Sequence, residues 1–363
     1  MQVYHGEISS AKLRGIFGSF TQLFLALGLL LVYSVGSIEG FHYYNSALLA
    51  AGFITLFELM MVWFSETPRW LLAKGYKSRA IAALIFLRGQ KFKFEQELKD
   101  MEVAVSENTK LSSLQIVAEL RRRSVLIPFL IMAVIMFFQQ IGGLNAISAY
   151  VAIIFKEGNV PNPKLAPIYA VGVTGLITTI IAVFLVDIVG RKVLLVVSGL
   201  GTLLGTAMLG THFFITRPSL CQNSTNLTAS LLQNSPSLQY STTVACNSQY
   251  APLAIVGVLI YVALFSLGWG PIPWVLLGEL LPLPVRGVAS GIVTFVNWGT
   301  AAIVTGFYPQ YSHWITPWFA WWSFSLLNLA SVIFAVLCVY ETKGKSLEEL
   351  QQKFAGRKSC VCV

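Results

Sequence analysis

Three carboxamides stand within seven residues of an otherwise apolar stretch, Gln139-Gln140-Ile141-Gly142-Gly143-Leu144-Asn145. An uncharged carboxamide both donates and accepts, so it can exchange hydrogen bonds one for one with hydroxyl groups such as those of a sugar. Left without partners in an apolar medium it is costly. Residues 139 and 140 differ by about 100° around a helix, so the three amides cannot share one narrow stripe, and some must bond neighbouring helices. Gln22 and the pair Asn297-Trp298 repeat the theme in two other apolar runs. A lone amide in such a run usually joins helices; several of them beside an interrupted helix point to a polar cavity.

The interruption lies in residues 251–278, which carry no formal charge and hold Gly268-Trp269-Gly270-Pro271-Ile272-Pro273-Trp274 at their middle. Two prolines two residues apart remove two backbone donors and clash with the preceding turn, and the glycines add backbone freedom. Carbonyls freed in hydrocarbon must face protein or a water-filled cavity. Discontinuous helices of this kind are where secondary transporters hold substrates. The indole of Trp274 adds a flat apolar face and one N–H donor.

Charges gather at the ends of the apolar runs: Glu66 with Arg69, Asp187 with Arg191, Glu279 with Arg286, and Glu341 with Lys343. Exposed ion pairs contribute only about 0–1 kcal/mol each. Between bundles that separate, pairs of that strength are enough to bias a conformational equilibrium. For Glu341 and Lys343 ordinary anchoring at the end of a span is the preferred reading. Glu58 lies within an apolar run near its end, within reach of the interface.

The elements that must position these groups are membrane helices. Only 11% of the 363 residues are charged and 55% are hydrophobic, against about 25% charged in a soluble domain. The net charge of +9 does not signal nucleic acid: of the 25 Lys and Arg, all but Lys156, Lys164 and Arg217 fall on one side of the predicted spans. That side is expected to be cytoplasmic. Residues 15–38 and 40–64 read as two spans. Residues 65–123 carry 12 Lys and Arg and read as short amphipathic cytoplasmic helices over 79–87, 94–105 and 114–120. Then come one long span over 124–155, spans over 165–186 and 193–216, the broken helix, and two spans in 287–340 with an outer turn at 308–317. Gly201 and Gly205 share a helix face and predict close packing. The expected organisation is therefore 1–64, a spanning hairpin; 65–123, a linker; 124–340, six spans; and 341–363, a tail.

Residues 217–250 form a Ser-, Asn- and Gln-rich outer loop bearing glycosylation sequons at Asn223 and Asn226. Cys221 and Cys246 share that loop, where a disulfide is permitted; Cys360 and Cys362 lie in the tail, which reads as unmodified. No metal-ligand cluster, Gly-x-Ser-x-Gly or phosphate loop occurs in a credible setting, so no enzyme and no cofactor are expected.

Met1-Gln2-Val3-Tyr4-His5-Gly6-Glu7, Arg14-Gly15, Ser65-Glu66-Thr67-Pro68-Arg69-Trp70, Gln139-Gln140 with Asn145, residues 187–192, Gly270-Pro271-Ile272-Pro273-Trp274, Asn297-Trp298 and Glu341-Thr342-Lys343-Gly344-Lys345 resemble, in order, the sugar-porter branch of the major facilitator superfamily. The sequons and Gly268-Trp269-Gly270-Pro271 look most like class III facilitative hexose transporters. The resemblance implies an all-α membrane protein of two six-helix halves, present here as about eight spans plus cytoplasmic helices, with four spans missing in front. It implies alternating access and a hexose substrate contacted by Gln22, Gln139, Gln140, Asn145, Trp274 and Asn297. Glu7, Arg14, Glu66, Arg69, Asp187, Arg191, Glu279 and Arg286 would form a cytoplasmic latch. The family's usual Ser is Gly142 here, and a polar residue of the next span is Gly175. The expected partners are the sugar, the bilayer and the missing N-terminal half, in the plasma membrane or an endosomal or lysosomal one. The alternatives are proton-coupled transport, an inositol or disaccharide substrate, and a truncated chain that does not transport.

Overall fold

The structure is a computed structural model that describes residues 14–38, 52–56, 59–60, 66–89, 95, 98–99, 101–103, 118–157, 162, 165–217, 236–281 and 285–343. Glu7, Glu58, Cys221, Asn223, Asn226 and the tail cysteines lie outside the described residues, as do the side chains of Arg14, Arg69, Asp187 and Cys246. Among the described residues every regular element is helical.

Helix α1, Arg14–Gly36, is apolar from Gln22 onward. Of the second predicted span, residues 52–56 and 59–60 are helical and the rest lies outside the described residues. Two short helices follow on the basic side. In α2, Pro68–Ala73, Pro68 takes a first-turn position where its missing N–H costs nothing, and the Thr67 hydroxyl accepts from Trp70 N at 3.2 Å. Helix α3, Lys77–Arg88, buries Ala80 and Ala83 against Leu71, and Leu84 against Leu98 and Met101.

Among the described residues, six further segments are long and apolar enough to cross a membrane. The first is Arg123–Lys156, predicted as one unbroken span; it is broken into α4, Arg123–Ile141, and α5, Leu144–Glu157. The joint is Gly142-Gly143, where Gly143 has φ 103°, a conformation that residues with a Cβ rarely adopt. The next opens with a turn of π-helix, Ile168–Val173, and continues as α6, Thr174–Val189. Gly172 lets α1 approach: a Cβ there would stand 2.8 Å from Leu30 Cδ1.

Helix α7, Arg191–Ile215, is followed by α8, Pro236–Leu267, and α9, Ile272–Leu280. The stretch 217–250, predicted as loop, is thus helical from Pro236; proline suits a helix start, and the spanning part from Tyr250 anchors the turns before it. The close packing predicted for Gly201 and Gly205 is present between α7 and α8. A Cβ on Gly201 would overlap Leu264 Cδ1, and one on Gly205 would fall 2.7 Å from Gly257 O.

The last two helices among the described residues are α10, Arg286–Ile315, and α11, Pro317–Cys338. The predicted outer turn over 308–317 is reduced to Thr316, because α10 runs on through Pro309. A proline at 309 cannot donate to the carbonyl four residues earlier; Tyr150 OH from α5 donates to Thr305 O at 2.9 Å in its place. In the assembled bundle α7 packs along α8 and α11, α4 packs along α10, and α1 rests on the π-helical turn, α6 and α9.

Candidate functional site

The break between α8 and α9 is built by missing donors. Pro273 leaves Trp269 O without its helical partner. Gly268 N and Gly270 N both turn back to Phe265 O, at 3.2 and 2.8 Å, and Trp269 N donates to Ser198 Oγ at 3.0 Å. The orphaned carbonyl is met from α4: Gln139 Nε2 donates to Trp269 O at 2.8 Å and to Gly270 O at 3.0 Å. Gln22 of α1 lies against the same turn, since a Cβ on Gly270 would stand 3.2 Å from its Nε2.

From Gln139 the bonds run on as a chain of amides. Asn297 Nδ2 in α10 donates to Gln139 Oε1 at 2.7 Å and to Met136 O at 3.1 Å. Gln140 Nε2 donates to Asn297 Oδ1 at 2.8 Å, and Asn145 Nδ2 donates to Gln140 Oε1 at 2.6 Å. Gln139, Gln140 and Asn297 are buried, whereas Asn145, Gln22 and Trp274 are half-buried. The fold thus joins Gln139, Gln140, Asn145 and Asn297 into one network that ends on the broken helix, with Gln22 beside its terminus. Trp274 stands one turn further on, in α9. Nothing in the network titrates or attacks; it can exchange neutral hydrogen bonds, which is the chemistry of holding a polyol.

A second cluster sits at the basic end. Buried Arg191 pairs with Glu279 at 3.1 Å, and Thr342 Oγ1 donates to the other Glu279 oxygen at 2.7 Å. Arg286 donates to Leu281 O through Nε and Nη2, at 3.1 and 3.0 Å. Glu341, expected only to anchor its span, caps α7: its carboxylate accepts from Arg191 N and Lys192 N, each at 3.0 Å. This satisfies first-turn donors and places a negative charge at the positive end of the helix. Gly190 makes room, with φ 105° and a would-be Cβ 2.7 Å from Glu341 Oε2. Glu66 is exposed.

Sequence reasoning missed the roles of Glu341 and Thr342, and also Asn328 and Tyr261, which both donate to Gly142 O at the α4–α5 break. The only local signal for the latter was the Gly142-Gly143 pair.

Among the described residues, two discontinuous spans meet inside a helical membrane bundle, with an uncharged hydrogen-bonding centre and an ionic cluster at one end, an arrangement that fits the major facilitator fold. The solved structure of the proton:xylose symporter XylE bound to 6-bromo-6-deoxy-D-glucose superposes with a TM-score of 0.74 at 26% identity, covering 97% of this chain and 70% of that one. A family model described as "Sugar (and other) transporter" matches residues 1–354. The chain belongs to this sugar transporter family. Among its relatives, the facilitated trehalose transporter Tret1 of Apis mellifera ligustica is 31% identical over 357 residues, 98% of this chain and 65% of that protein. Solute carrier family 2, facilitated glucose transporter member 8, of Bos taurus is 34% identical over 362 residues, 98% of this chain and 70% of the relative. The chain spans about two thirds of the length of these relatives.

Proposed function

We propose that this chain forms the sugar-binding, moving part of a facilitative hexose carrier that works by alternating access. The observation that carries the reading is the amide network of Gln139, Gln140, Asn145 and Asn297 closed onto the carbonyls of the broken helix. Every bond in it is neutral, so hexose hydroxyls can replace amide partners without leaving a charge unpaired. Gln22 and Trp274 flank the network, Gln22 from α1 and Trp274 as a ring that moves with α9. The similarity to the bovine glucose transporter supports a hexose; that to the honeybee trehalose transporter favours a second reading, carriage of a disaccharide.

In this reading 1–64 is the end of one helical half, 65–123 a cytoplasmic linker, 124–340 the other half and 341–363 a tail, in the plasma membrane or an endosomal or lysosomal one. The sequons at Asn223 and Asn226 accept glycan on the outer side. Arg191 and Glu279 hold the cytoplasmic end closed, with Glu7, Arg14, Glu66, Arg69, Asp187 and Arg286 completing the latch. The remaining cavity wall falls to the further length that the relatives carry.

The test is uptake of radiolabelled D-glucose into proteoliposomes, with Trp274→Ala as control and the same chain extended by four upstream spans. Saturable uptake lost in the control supports the reading for this chain. Uptake by the extended protein alone assigns transport to the longer carrier, and saturable uptake by neither sinks it.

A further inference from the structure

The amide network crosses a joint. Gln140 lies in the last turn of α4 and Asn145 in the first turn of α5, and the 2.6 Å bond between them spans Gly142-Gly143. The angle of that joint therefore sets where Asn145 stands relative to Gln139 and Gln140. A pair of glycines does not fix an angle unaided, because glycine tolerates many backbone conformations. Something else must hold it.

Two side chains from other spans meet at the joint. Asn328 Nδ2 of α11 donates to Gly142 O at 2.9 Å and to Phe324 O at 3.0 Å. Tyr261 OH of α8 donates to the same Gly142 O at 3.1 Å. Asn328 is 4% exposed and Tyr261 fully buried. Asn328 Oδ1 also fills the space beside Gly142, where a Cβ would come within 2.7 Å of it, and the Phe324 ring closes on Gly143. Gly142 itself has φ −67°, so alanine is barred there by Asn328 and not by the backbone.

We propose that Asn328, with Tyr261, is a positioning residue that clamps the Gly142-Gly143 joint and so sets the separation of Gln140 and Asn145, and with it which hydroxylated ligand the network accepts. Neither residue hydrogen-bonds to the network amides; both act through the Gly142 carbonyl. The selectivity part rests on the carrier reading above, whereas the clamp does not.

The test uses the full chain in nanodiscs and two readouts. The first is hydrogen–deuterium exchange of the backbone amides of 144–147, with the melting temperature followed in parallel. Tyr261→Phe removes one hydroxyl and keeps the ring, so folding is retained; exchange at 144–147 is expected to rise about fivefold to tenfold, the worth of one hydrogen bond. Asn328→Ala should raise it further. Tyr311→Phe, which breaks a 2.8 Å bond to Ser323 between α10 and α11, should leave 144–147 unchanged. Gly142→Ala should loosen the joint in the wild-type background and less in Asn328→Ala, where the space is vacant. Unchanged exchange at 144–147 in both clamp variants, or an equal rise in Tyr311→Phe, overturns the proposal.

The second readout is the ratio of Kd for D-glucose to Kd for trehalose, measured by tryptophan fluorescence. The clamp variants should change this ratio by at least about threefold, the low end of one hydrogen bond's worth, with melting within a few degrees of wild type. A constant ratio overturns the selectivity claim. If the wild type binds neither sugar, the carrier reading and the selectivity claim fall together, and the exchange experiment alone decides whether the clamp exists.

Discussion

The centre of the membrane bundle and its basic end solve the same problem in opposite ways. Both are places where helices stop inside or at the edge of the bundle and leave backbone groups unpaired. At the centre the loose ends are carbonyls, and Gln139 meets them with a neutral amide that is bonded in turn to Asn297. At the basic end they are N–H groups at the start of α7, and Glu341 meets them with a full charge while Arg191 and Glu279 pair beside it. Neutral bonds in a dry interior are exchanged at little cost only for other neutral bonds, such as those of hydroxyls. Charged bonds near water can be exchanged for hydration, and they weaken in salt. In the proposed carrier the centre would thus serve recognition and the end opening and closing.

Four substitutions sharpen or break that contrast. The largest effect is expected for Glu279→Ala, which removes the Glu279 carboxylate from its ion pair with buried Arg191. About 3–5 kcal/mol of stability should be lost, seen as a lower melting temperature in detergent, and a cysteine placed at buried Val186 should become more reactive as the end loosens. Asn297→Ala removes the amide that joins Gln139 and Gln140 and should cost about 1–3 kcal/mol for each polar group left unpaired. That loss should be the same at low and high salt; a strong salt dependence would erase the distinction drawn here. Glu341→Ala should cost about 0.5–2 kcal/mol, and here raising the salt from about 20 mM to about 500 mM should shrink the difference from wild type. Smallest is Tyr150→Phe, expected to cost about 0.6–1.7 kcal/mol and to speed hydrogen exchange in 306–315 alone.

The six long spans from Arg123 onward were legible because their apolar runs are long, and the seam of α7 and α8 because Gly201 and Gly205 lie one turn apart. The α8–α9 break was legible because proline removes donors wherever it stands. The α4–α5 break was not, since Gly142-Gly143 becomes a joint only when Asn328 and Tyr261, more than a hundred residues away, supply its partners. The end of α10 was misplaced for the converse reason: Pro309 reads as a stop until Tyr150 is seen to replace its missing donor. Of the proposed site, residue types could be read, whereas the order of bonds among Gln139, Gln140, Asn145 and Asn297 depends on helix rotations that a one-dimensional pattern does not encode. Glu341 lies 150 residues from the N–H group it caps.

The bond from Tyr150 to Thr305 O and that from Gln139 to Trp269 O share a direction along the chain. In each, the lender of the proton is made by the ribosome before the proline-bearing helix that borrows it, 155 and 130 residues earlier. As the chain emerges N-terminus first, α4 and α5 are synthesised before α9 and α10 arrive with carbonyls that cannot satisfy themselves. A later helix therefore enters lipid already provided for, and its exposed polar groups need wait only for docking, never for a partner still to be translated.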